Sequence, residues 1–293
     1  MRSTKIVSRR CSLRCTASTE PIILTLLGAF QLTRADGTVV LPPGKPLALL
    51  AYLVCSRNRR ASRSVVADLL WGDSAESQQR ASLRQALFTL RSAIGASGIV
   101  SDGEWLEASA HLVADVDTFL LAIESKQYAA AVTAYAGDFV PSFASPGAAD
   151  FERWADTERL RLRGAFLAAA VQQLRDLIAQ GDTGRALPLT KRLVTLAPDD
   201  DEMWRRRFDV LSLAGEGGQM LLEVASLRAA RAEDGVSLDR SLERHVGQLV
   251  GSMARHAPDS RPSARHVTGR ARLRVRRVGP VPEREKSDLL LHG

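Results

Sequence analysis

Residues 77–95, SQQRASLRQALFTLRSAIG, constrain what this chain can fold into more than any other stretch. At 100° per residue, one narrow arc contains four apolar side chains, Leu83, Leu87, Leu90 and Ile94. The opposite arc contains Ser77, Gln78, Ala81, Arg84, Gln85, Phe88 and Ser92. The spacing therefore predicts an amphipathic helix that packs by its leucines and turns a polar face outward.

The polar face of this helix is basic and lacks acidic partners. The segment carries Arg80, Arg84 and Arg91 with three glutamines, and no carboxylate follows Glu76. Guanidinium and carboxamide groups donate bidentately to guanine and adenine edges in the major groove of DNA. The composition is therefore typical of a DNA-recognition helix, and a core helix with a basic solvent face fits it equally well.

The net charge of +7 over 293 residues is concentrated in the terminal segments. By segment it is +4 for residues 1–20, 0 for 21–117, −3 for 118–260, +7 for 261–277 and −1 for 278–293. Overall basicity is therefore weak evidence for DNA binding by the folded part of the chain. The relevant excess is local, because seven basic and three acidic residues lie from Arg57 to Arg91.

Length and composition indicate a cytoplasmic protein of about two domains. The three cysteines, Cys11, Cys15 and Cys55, form no disulfide framework and no CxxC pair. The longest apolar runs are too short to span a bilayer, so we expect no membrane association. Residues 1–20 are rich in Arg and Ser, and residues 254–293 in Arg, Pro and Ser. We interpret both segments as disordered and basic.

Residues 21–117 have the element order of a winged helix. Two strand patterns, IILTLLGAFQLTR and TVVLP, flank an Ala-Asp-Gly turn, and prolines follow. Helices are predicted at 47–55, after a Ser62 cap, and at 77–95. Short strands around an Asp-Gly pair at Asp102 complete the order of strands, three helices and hairpin.

Four motifs in this region resemble, in the same order, the DNA-binding domain of the OmpR-like winged helices, in the version found at the N-terminus of streptomycete antibiotic regulatory proteins. The motifs are LLGAFQL at 26–32, KPLALLAYL at 45–53, VVADLLWGD at 65–73 and RASLRQALFTLRSAIG at 80–95. The resemblance implies that the middle of the third helix contacts base edges. The residues at those positions are Arg84, Gln85, Phe88 and Thr89.

We expect Arg84 to contact guanine and Gln85 to contact adenine. Phe88 is unusual on an outward face. It fits contact with a thymine methyl, packing on the wing or packing on a neighbouring protomer, and the sequence does not choose among these.

Six further arginines are placed to contact phosphates, which fix the position of a protein on DNA without reporting its base sequence. They are Arg57, Arg59, Arg60 and Arg63, near the turn between the first two helices, and Arg80 and Arg91 on the third. A solvated turn explains any single one of them nearly as well. The salt dependence of DNA binding separates the two interpretations. Replacing an arginine that contacts a phosphate should reduce the slope of log affinity against log salt by about one.

The predicted wing departs from the pattern that the resemblance implies. Many relatives offer a basic residue to the minor groove there, whereas this hairpin carries Asp102, Glu104 and Glu107. Acidic side chains repel phosphates, which argues against wing contact. We expect Trp105, the large aromatic of the hairpin, to be a core residue.

The sequence after residue 117 predicts helices throughout, beginning at Thr118 with Asp117 as cap. Predicted helices lie near 119–126, 128–135, 149–180, 183–197, 200–214, 217–233 and 239–253. Four residue pairs are 34 positions apart, namely Leu174 and Phe208, Leu177 and Leu211, Gly181 and Gly215, and Leu193 and Leu227. A period of 34 is that of the tetratricopeptide repeat (TPR), in which stacked helix pairs bury one another's apolar faces.

Two motifs of this half, YAGDFVPSF at 135–143 and FERWADTERLRLR at 151–163, resemble the bacterial transcriptional activator domain that follows the winged helix in the same regulators. The resemblance implies self-association and contact with the transcription machinery. The predicted fold is therefore mainly α, with an N-terminal winged helix-turn-helix of α+β type at 21–117 followed by an all-α, TPR-like helical-repeat domain at 118–253.

Patterns for catalysis are missing from the sequence. Gly44 and Lys45 lack the upstream glycine of a phosphate loop, and the five histidines form no HExxH. Cysteine pairs at zinc spacing and a GxSxG motif are also missing. We therefore predict no enzymatic activity, no metal site and no cofactor.

Together these observations predict a sequence-specific DNA-binding transcriptional regulator, an activator, whose partners are double-stranded DNA, RNA polymerase and further copies of the chain on DNA. Two alternatives stay open. One is a protein-interaction adaptor whose winged helix no longer binds DNA, which the acidic wing favours. The other is the truncated sensory front of a multidomain signalling protein.

Overall fold

The computed structural model describes residues 22–141 and 143–256. Within these ranges the chain is mainly helical, with small sheets in its N-terminal part, which confirms the predicted fold class. The predicted leader at 1–20 lies outside the described residues, as does the predicted tail beyond residue 256.

The first sheet has four strands. They are β1 (Ile22–Thr25), β2 (Gln31–Arg34), β3 (Val39–Leu41) and β7 (Val113–Ala114), in the order β3-β2-β1-β7. β1 is antiparallel to β2 and parallel to β7. Gly37 lies in the turn between β2 and β3 with a φ of 84°, a left-handed conformation that favours glycine. The predicted N-terminal hairpin is therefore confirmed.

Three helices follow the first three strands and contain the helix-turn-helix. They are α1 (Lys45–Cys55), α2 (Arg63–Trp71) and α3 (Glu76–Ile94). Pro46 fits the first turn of α1 because the N–H groups of a first turn have no partner within the helix. Ser62 caps α2 as predicted, since its Oγ accepts a hydrogen bond from the Val65 backbone N–H at 3.3 Å.

A second sheet of three strands forms the wing. Its strands are β4 (Arg60–Ser62), β5 (Ile99–Asp102) and β6 (Trp105–Ala108), in the order β4-β6-β5. Asp102 pairs with Trp105, so the hairpin turn consists of Gly103 and Glu104. This position places Glu104 beside the start of α2. The backbone carbonyl of Glu104 accepts a hydrogen bond from the Arg63 N–H at 2.8 Å.

Seven further helices complete the described chain. They are α4 (Asp115–Glu124), α5 (Tyr128–Ala134), α6 (Ala149–Ala179), α7 (Thr183–Leu196), α8 (Asp201–Leu213), α9 (Gly217–Glu233) and α10 (Arg240–His256). The predicted helices are thus confirmed, with ends that differ by a few residues. Over the described ranges, no helix combines the length and apolarity that crossing a bilayer requires.

The predicted cap at Asp117 is wrong. α4 begins at Asp115, whose carboxylate accepts hydrogen bonds from the backbone N–H groups of Leu26 at 2.9 Å and Leu27 at 2.8 Å. Asp117 forms an ion pair with Arg59 instead. Either acid suits the first turn of a helix. The hydrogen bonds from the β1–β2 connection select Asp115 as the first residue of α4.

The 34-residue spacing corresponds to a structural repeat. The apolar pairs that carry it are buried at every position, namely Leu174 and Phe208, Leu177 and Leu211, and Leu193 and Leu227. Gly181 and Gly215 follow α6 and α8 with φ values of 70° and 76°, which favour glycine. The end of α6 with α7, and α8 with α9, are therefore equivalent helix pairs.

The two predicted domains meet where the connection between β1 and β2 lies against the connection between α5 and α6. The Gly28 N–H donates to the Asp138 carbonyl at 2.9 Å, and the Val140 N–H donates to the Leu26 carbonyl at 2.7 Å. A side chain at Gly28 would lie only 3.0 Å from the backbone of Ala136, so the close approach requires glycine. The motifs LLGAFQL and YAGDFVPSF thus contact each other directly.

α6 holds this junction through its arginines. Arg159 donates to the carbonyls of Phe139 at 2.8 Å and Val140 at 2.9 Å, and Arg163 pairs with Asp138 at 2.6 Å. The predicted boundary between residues 117 and 118 falls inside α4, and one buried apolar cluster continues across it. The division into domains at 21–117 and 118–253 remains a prediction.

Candidate nucleic-acid interface

The apolar side of α3 matches its sequence pattern. Leu83, Leu87 and Leu90 are each at most 3% exposed and pack into the core that α3 shares with α1 and α2. Burial of three leucines fixes the rotation of the helix, because turning it would expose them to water. The outward arc of α3 is therefore held in one orientation.

The centre of the outward arc is open to solvent. Arg84 and Gln85 are exposed, and their side chains make no hydrogen bond or ion pair with any described residue. Phe88 is 67% exposed, so it does not pack on the wing. An aromatic side chain in that position remains free for a partner, which leaves two of its three predicted roles, a thymine methyl or a neighbouring protomer.

Thr89 lies at the edge of the arc and is half-buried. Its Oγ1 donates to the Gln85 carbonyl at 3.0 Å, one turn earlier in α3. With Gln85 it lines a shallow groove between α3 and the start of α1, where Pro46 lies. Arg84 lines a different groove, toward α2, so the four predicted base-contact residues straddle the ridge of α3.

Four of the six predicted phosphate-contact arginines keep their guanidinium groups near the surface. Arg57 and Arg63 have no side-chain partner among the described residues. Arg60 lies over the Trp105 ring at 4.6 Å, and Arg80 pairs with a glutamate one turn earlier in α3. An exposed pair of that kind contributes only about 0.3–0.5 kcal/mol, so it holds Arg80 weakly.

The other two predicted phosphate contacts bond within the fold. Arg59 donates to backbone carbonyls after β6, that of Ser109 at 2.8 Å, and pairs with Asp117. Arg91 donates to the Ser101 Oγ at 2.6 Å. Arg91 thus ties α3 to the wing, and Arg59 ties the turn after α1 to the segment between β6 and β7 and to α4. Sequence reasoning missed this role because most of the acceptors are backbone carbonyls, which leave no sequence signature.

One of the three glutamines of α3 faces inward. Gln79 is 8% exposed, and its Nε2 donates to the Ser74 carbonyl at 3.1 Å, in the turn between α2 and α3. The helical wheel places Gln79 beside Leu83, so the sequence contained the signal. The outward face is therefore less rich in carboxamides than its composition indicates.

The prediction that Trp105 is a core residue is wrong. Trp105 is 45% exposed, whereas its neighbour Leu106 is fully buried. Successive side chains of a strand point to opposite faces, and β6 turns Leu106 toward the core. Trp105 consequently faces out and stacks on Arg60.

A groove of about 590 Å³ runs between α2 and α3 under the tip of the wing. Its charged lining consists of Arg63, Arg80 and Arg84, and of Asp68, Glu76 and Glu104. The Glu104 carboxylate accepts the Ser64 backbone N–H at 3.3 Å. Three cations beside three anions can bind phosphate only against local repulsion.

The interface offers hydrogen-bond donors, an aromatic ring and positive charge, which suit binding.

Burial raises the pKa of the Cys55 thiol, which keeps the thiol protonated. Over the described residues, no three side chains of His, Cys, Asp or Glu converge as a metal ion would require. 

Comparison with known proteins gives a likeness of fold. No protein-family model matches the chain. No curated protein matches it either. Among solved structures, Mycobacterium tuberculosis EmbR in complex with a low affinity phosphopeptide is similar, with a TM-score of 0.59 and 20% sequence identity. The match covers 80% of this chain and 66% of EmbR, just under two thirds of its length, and shows a shared fold.

Proposed function

We propose that this chain is a cytoplasmic transcriptional regulator, an activator, that binds specific double-stranded DNA through α3. The observation that carries the proposal is the outward arc of α3, where Arg84 and Gln85 have no described partner and Phe88 is 67% exposed. An α-helix fits the major groove, where arginine donates bidentately to guanine and glutamine to adenine. The exposed ring of Phe88 adds apolar surface that a thymine methyl or a second protomer could cover.

In this proposal Arg84, Gln85, Phe88 and Thr89 contact bases. The Thr89 Oγ1 donates within α3, so it would meet a base as an acceptor or through its methyl group. Phosphate contacts fall to the exposed or weakly held arginines, Arg57, Arg60, Arg63 and Arg80. Arg59 and Arg91 would share their guanidinium groups between the fold and a phosphate.

The helical repeats would serve self-association on DNA and contact with RNA polymerase. Support comes from exposed apolar side chains near the connection of α8 and α9, where Leu213, Leu221 and Leu222 are 62%, 49% and 67% exposed. Exposed apolar side chains of this kind can be covered by a protein partner. The likeness to EmbR adds that the repeats belong to a fold shared with a protein solved as a phosphopeptide complex.

Selection from random duplexes, followed by titration of the selected site by anisotropy, tests the proposal. We expect wild type to bind one sequence class, and the variant Arg84→Ala with Gln85→Ala to lose about 30-fold or more of that affinity, since each bidentate contact contributes about 1–3 kcal/mol. The variant should unfold at the wild-type temperature, because neither side chain has a described partner.

The matched control is Gln172→Ala with Arg175→Ala, which removes the same two residue types from α6. This pair is joined only by a weak 3.4 Å contact. Its affinity for the selected duplex should equal that of wild type. Equal binding by both double variants would contradict the assignment of α3 to base contact.

A second candidate is a protein-interaction adaptor with a winged helix that does not bind DNA. The observation that favours it is the carboxylate of Glu104 in the α2–α3 groove, among the arginines. If the chain is an adaptor, the full chain with Arg84→Ala and Gln85→Ala should still bind its protein partner. It would also show no salt-dependent binding to any duplex.

A further inference from the structure

The tip of the wing is bonded to the first turn of α2. The Glu104 carbonyl accepts the Arg63 N–H at 2.8 Å, and its side-chain Oε1 accepts the Ser64 N–H at 3.3 Å. The next N–H of the helix, that of Val65, donates to Ser62. The donors of this first turn are therefore occupied by groups of the chain itself, and one of those groups is a carboxylate.

The same carboxylate faces the groove that contains the unpaired arginines of the helix-turn-helix. The side chains of Arg63 and Arg84 line this groove without a hydrogen-bond or ion-pair partner among the described residues, and Arg80 lines it with Glu76 as a weak partner. A phosphate that bridges α2 and α3 would use these guanidinium groups. It would then lie beside the negative charge of Glu104, in a setting where like charges repel.

We propose that Glu104 is an intramolecular competitor of DNA phosphates in the α2–α3 groove, so that it lowers affinity for every duplex. This inference rests on the proposed function and adds a regulatory residue to the same surface. Repulsion from a backbone phosphate does not depend on base sequence. Glu104 consequently weakens nonspecific and specific binding by a similar factor, and only a duplex with good base contacts overcomes it.

The wing provides a matched control for this effect. Glu107 lies on β6 of the same hairpin and is exposed like Glu104, yet it is not part of the α2–α3 groove. Glu104→Gln and Glu107→Gln therefore change the net charge equally, and only the first removes charge from the groove. Glutamine at position 104 also retains an oxygen that can accept the Ser64 N–H, which protects the fold.

The experiment titrates wild type, Glu104→Gln and Glu107→Gln against a selected duplex and a scrambled duplex at several salt concentrations. We expect Glu104→Gln to bind both duplexes about five-fold more tightly, the order expected for removing one repulsive unit charge at a hydrated surface. Its log–log salt slope should steepen by up to about one. Glu107→Gln should stay within about two-fold of wild type.

The outcomes separate this inference from the function beneath it. If wild type binds and the two variants tighten equally, or not at all, a role for the groove is overturned while DNA binding stands. If Glu104→Gln weakens binding to the selected duplex alone, Glu104 contacts a base, as an acceptor from cytosine, and the inference is again overturned. If none of the three proteins binds any duplex, both proposals fall. Binding by Glu104→Gln alone would support both.

Discussion

Helices α3 and α6 are both rich in arginine, and Arg84 of α3 contrasts with Arg159 and Arg163 of α6. In α6, Arg159 donates to two backbone carbonyls of the junction, and Arg163 pairs with Asp138. In α3, Arg84 is exposed without a described partner. Arginine has five N–H donors in a fixed plane, which suit either a fold contact or a phosphate or base. The difference teaches that arginine density alone does not identify a DNA-binding helix.

The same contrast separates neighbours within the winged helix. Arg57 is exposed, whereas Arg59, two residues later, bonds to the segment after β6 and to Asp117. A guanidinium group that satisfies backbone carbonyls stabilises the fold, and its removal leaves those acceptors without a donor. An exposed one contributes little to folding and is available to a ligand. Substitutions in each class therefore give different experimental results.

The largest effect should come from the most deeply buried arginine of the repeats. Arg207 is 5% exposed and donates to Glu223 at 2.7 Å and to the Leu187 carbonyl at 2.8 Å. Arg207→Ala removes the ion-pair partner of Glu223 and leaves it only the Gln219 amide as a donor, so we expect a loss of about 3–5 kcal/mol in the free energy of unfolding, measured by urea denaturation. Arg228→Ala, from an exposed pair, should lose less than about 1 kcal/mol. If Arg207→Ala and Arg228→Ala lowered the free energy of unfolding by similar amounts, burial would not determine how much an ion pair contributes to stability here.

Arg59 and Arg57 give the next largest difference. Arg59→Ala should lower the free energy of unfolding by about 1–3 kcal/mol, because two carbonyls and Asp117 lose their donor. Arg57→Ala should leave unfolding unchanged and reduce the salt slope of duplex binding by about one. Thermal melts and binding titrations on both variants measure these effects. Unfolding that responds to Arg57→Ala would show a fold contact for that residue.

The smallest expected effect is a pH dependence at the junction. Burial raises the pKa of Asp115 to about 6, although backbone N–H groups of Leu26 and Leu27 lower it. The folded protein therefore binds this proton more tightly than the unfolded chain, and the contribution to stability is full below about pH 4 and is lost as the pH rises through about 6. Between pH 5 and 7.5 the loss should be about 1 kcal/mol.

The test compares the pH dependence of urea unfolding for wild type, Asp115→Asn and, as control, Asp176→Asn, which changes an exposed residue of α6. Asp115→Asn should remove the loss between pH 5 and 7.5, and Asp176→Asn should keep it. A profile for Asp115→Asn that parallels wild type would assign the pH dependence to other groups.

Features fixed by local spacing could be predicted from the sequence. The leucines of α3 recur at helical intervals, and the structure buries them. The 34-residue period predicted helix pairs whose equivalent residues are buried alike, as Leu174 and Phe208 are. These signals depend on backbone geometry within one element or one repeat, which the sequence records directly.

Features set by tertiary contacts could not be predicted in the same way. Asp115 rather than Asp117 marks the start of α4 because backbone N–H groups of Leu26 and Leu27 approach it from 88 or 89 residues away. Trp105 faces solvent because the register of the hairpin assigns Leu106 to the core. The alternation along β6 places Trp105 on the same face as Glu107, so the sequence contained part of this signal, whereas the register of β6 against β5 is set by tertiary contacts.

The predicted interface divides along the same line. Exposure of Arg84, Gln85 and Phe88 follows from the helical wheel, which locates the leucines opposite them. The bonding of Arg91 depends on the position of the wing, and that of Arg59 on the segment after β6 and on α4, which the helix pattern does not contain. Which atoms of the outward arc contact DNA depends on the base sequence of the duplex, which binding measurements identify.

The hydrogen bonds at Gly28 and Val140 leave no free linker between the winged helix and the repeats in the described chain. Reorienting one half against the other would break those bonds and expose the apolar cluster they share. Two copies joined through their repeats would hence present their α3 helices at one set distance and angle. A single base pair inserted between two half-sites rotates the second half-site by about a tenth of a helical turn. A dimer with fixed α3 positions could not rotate with it and would bind the altered site more weakly.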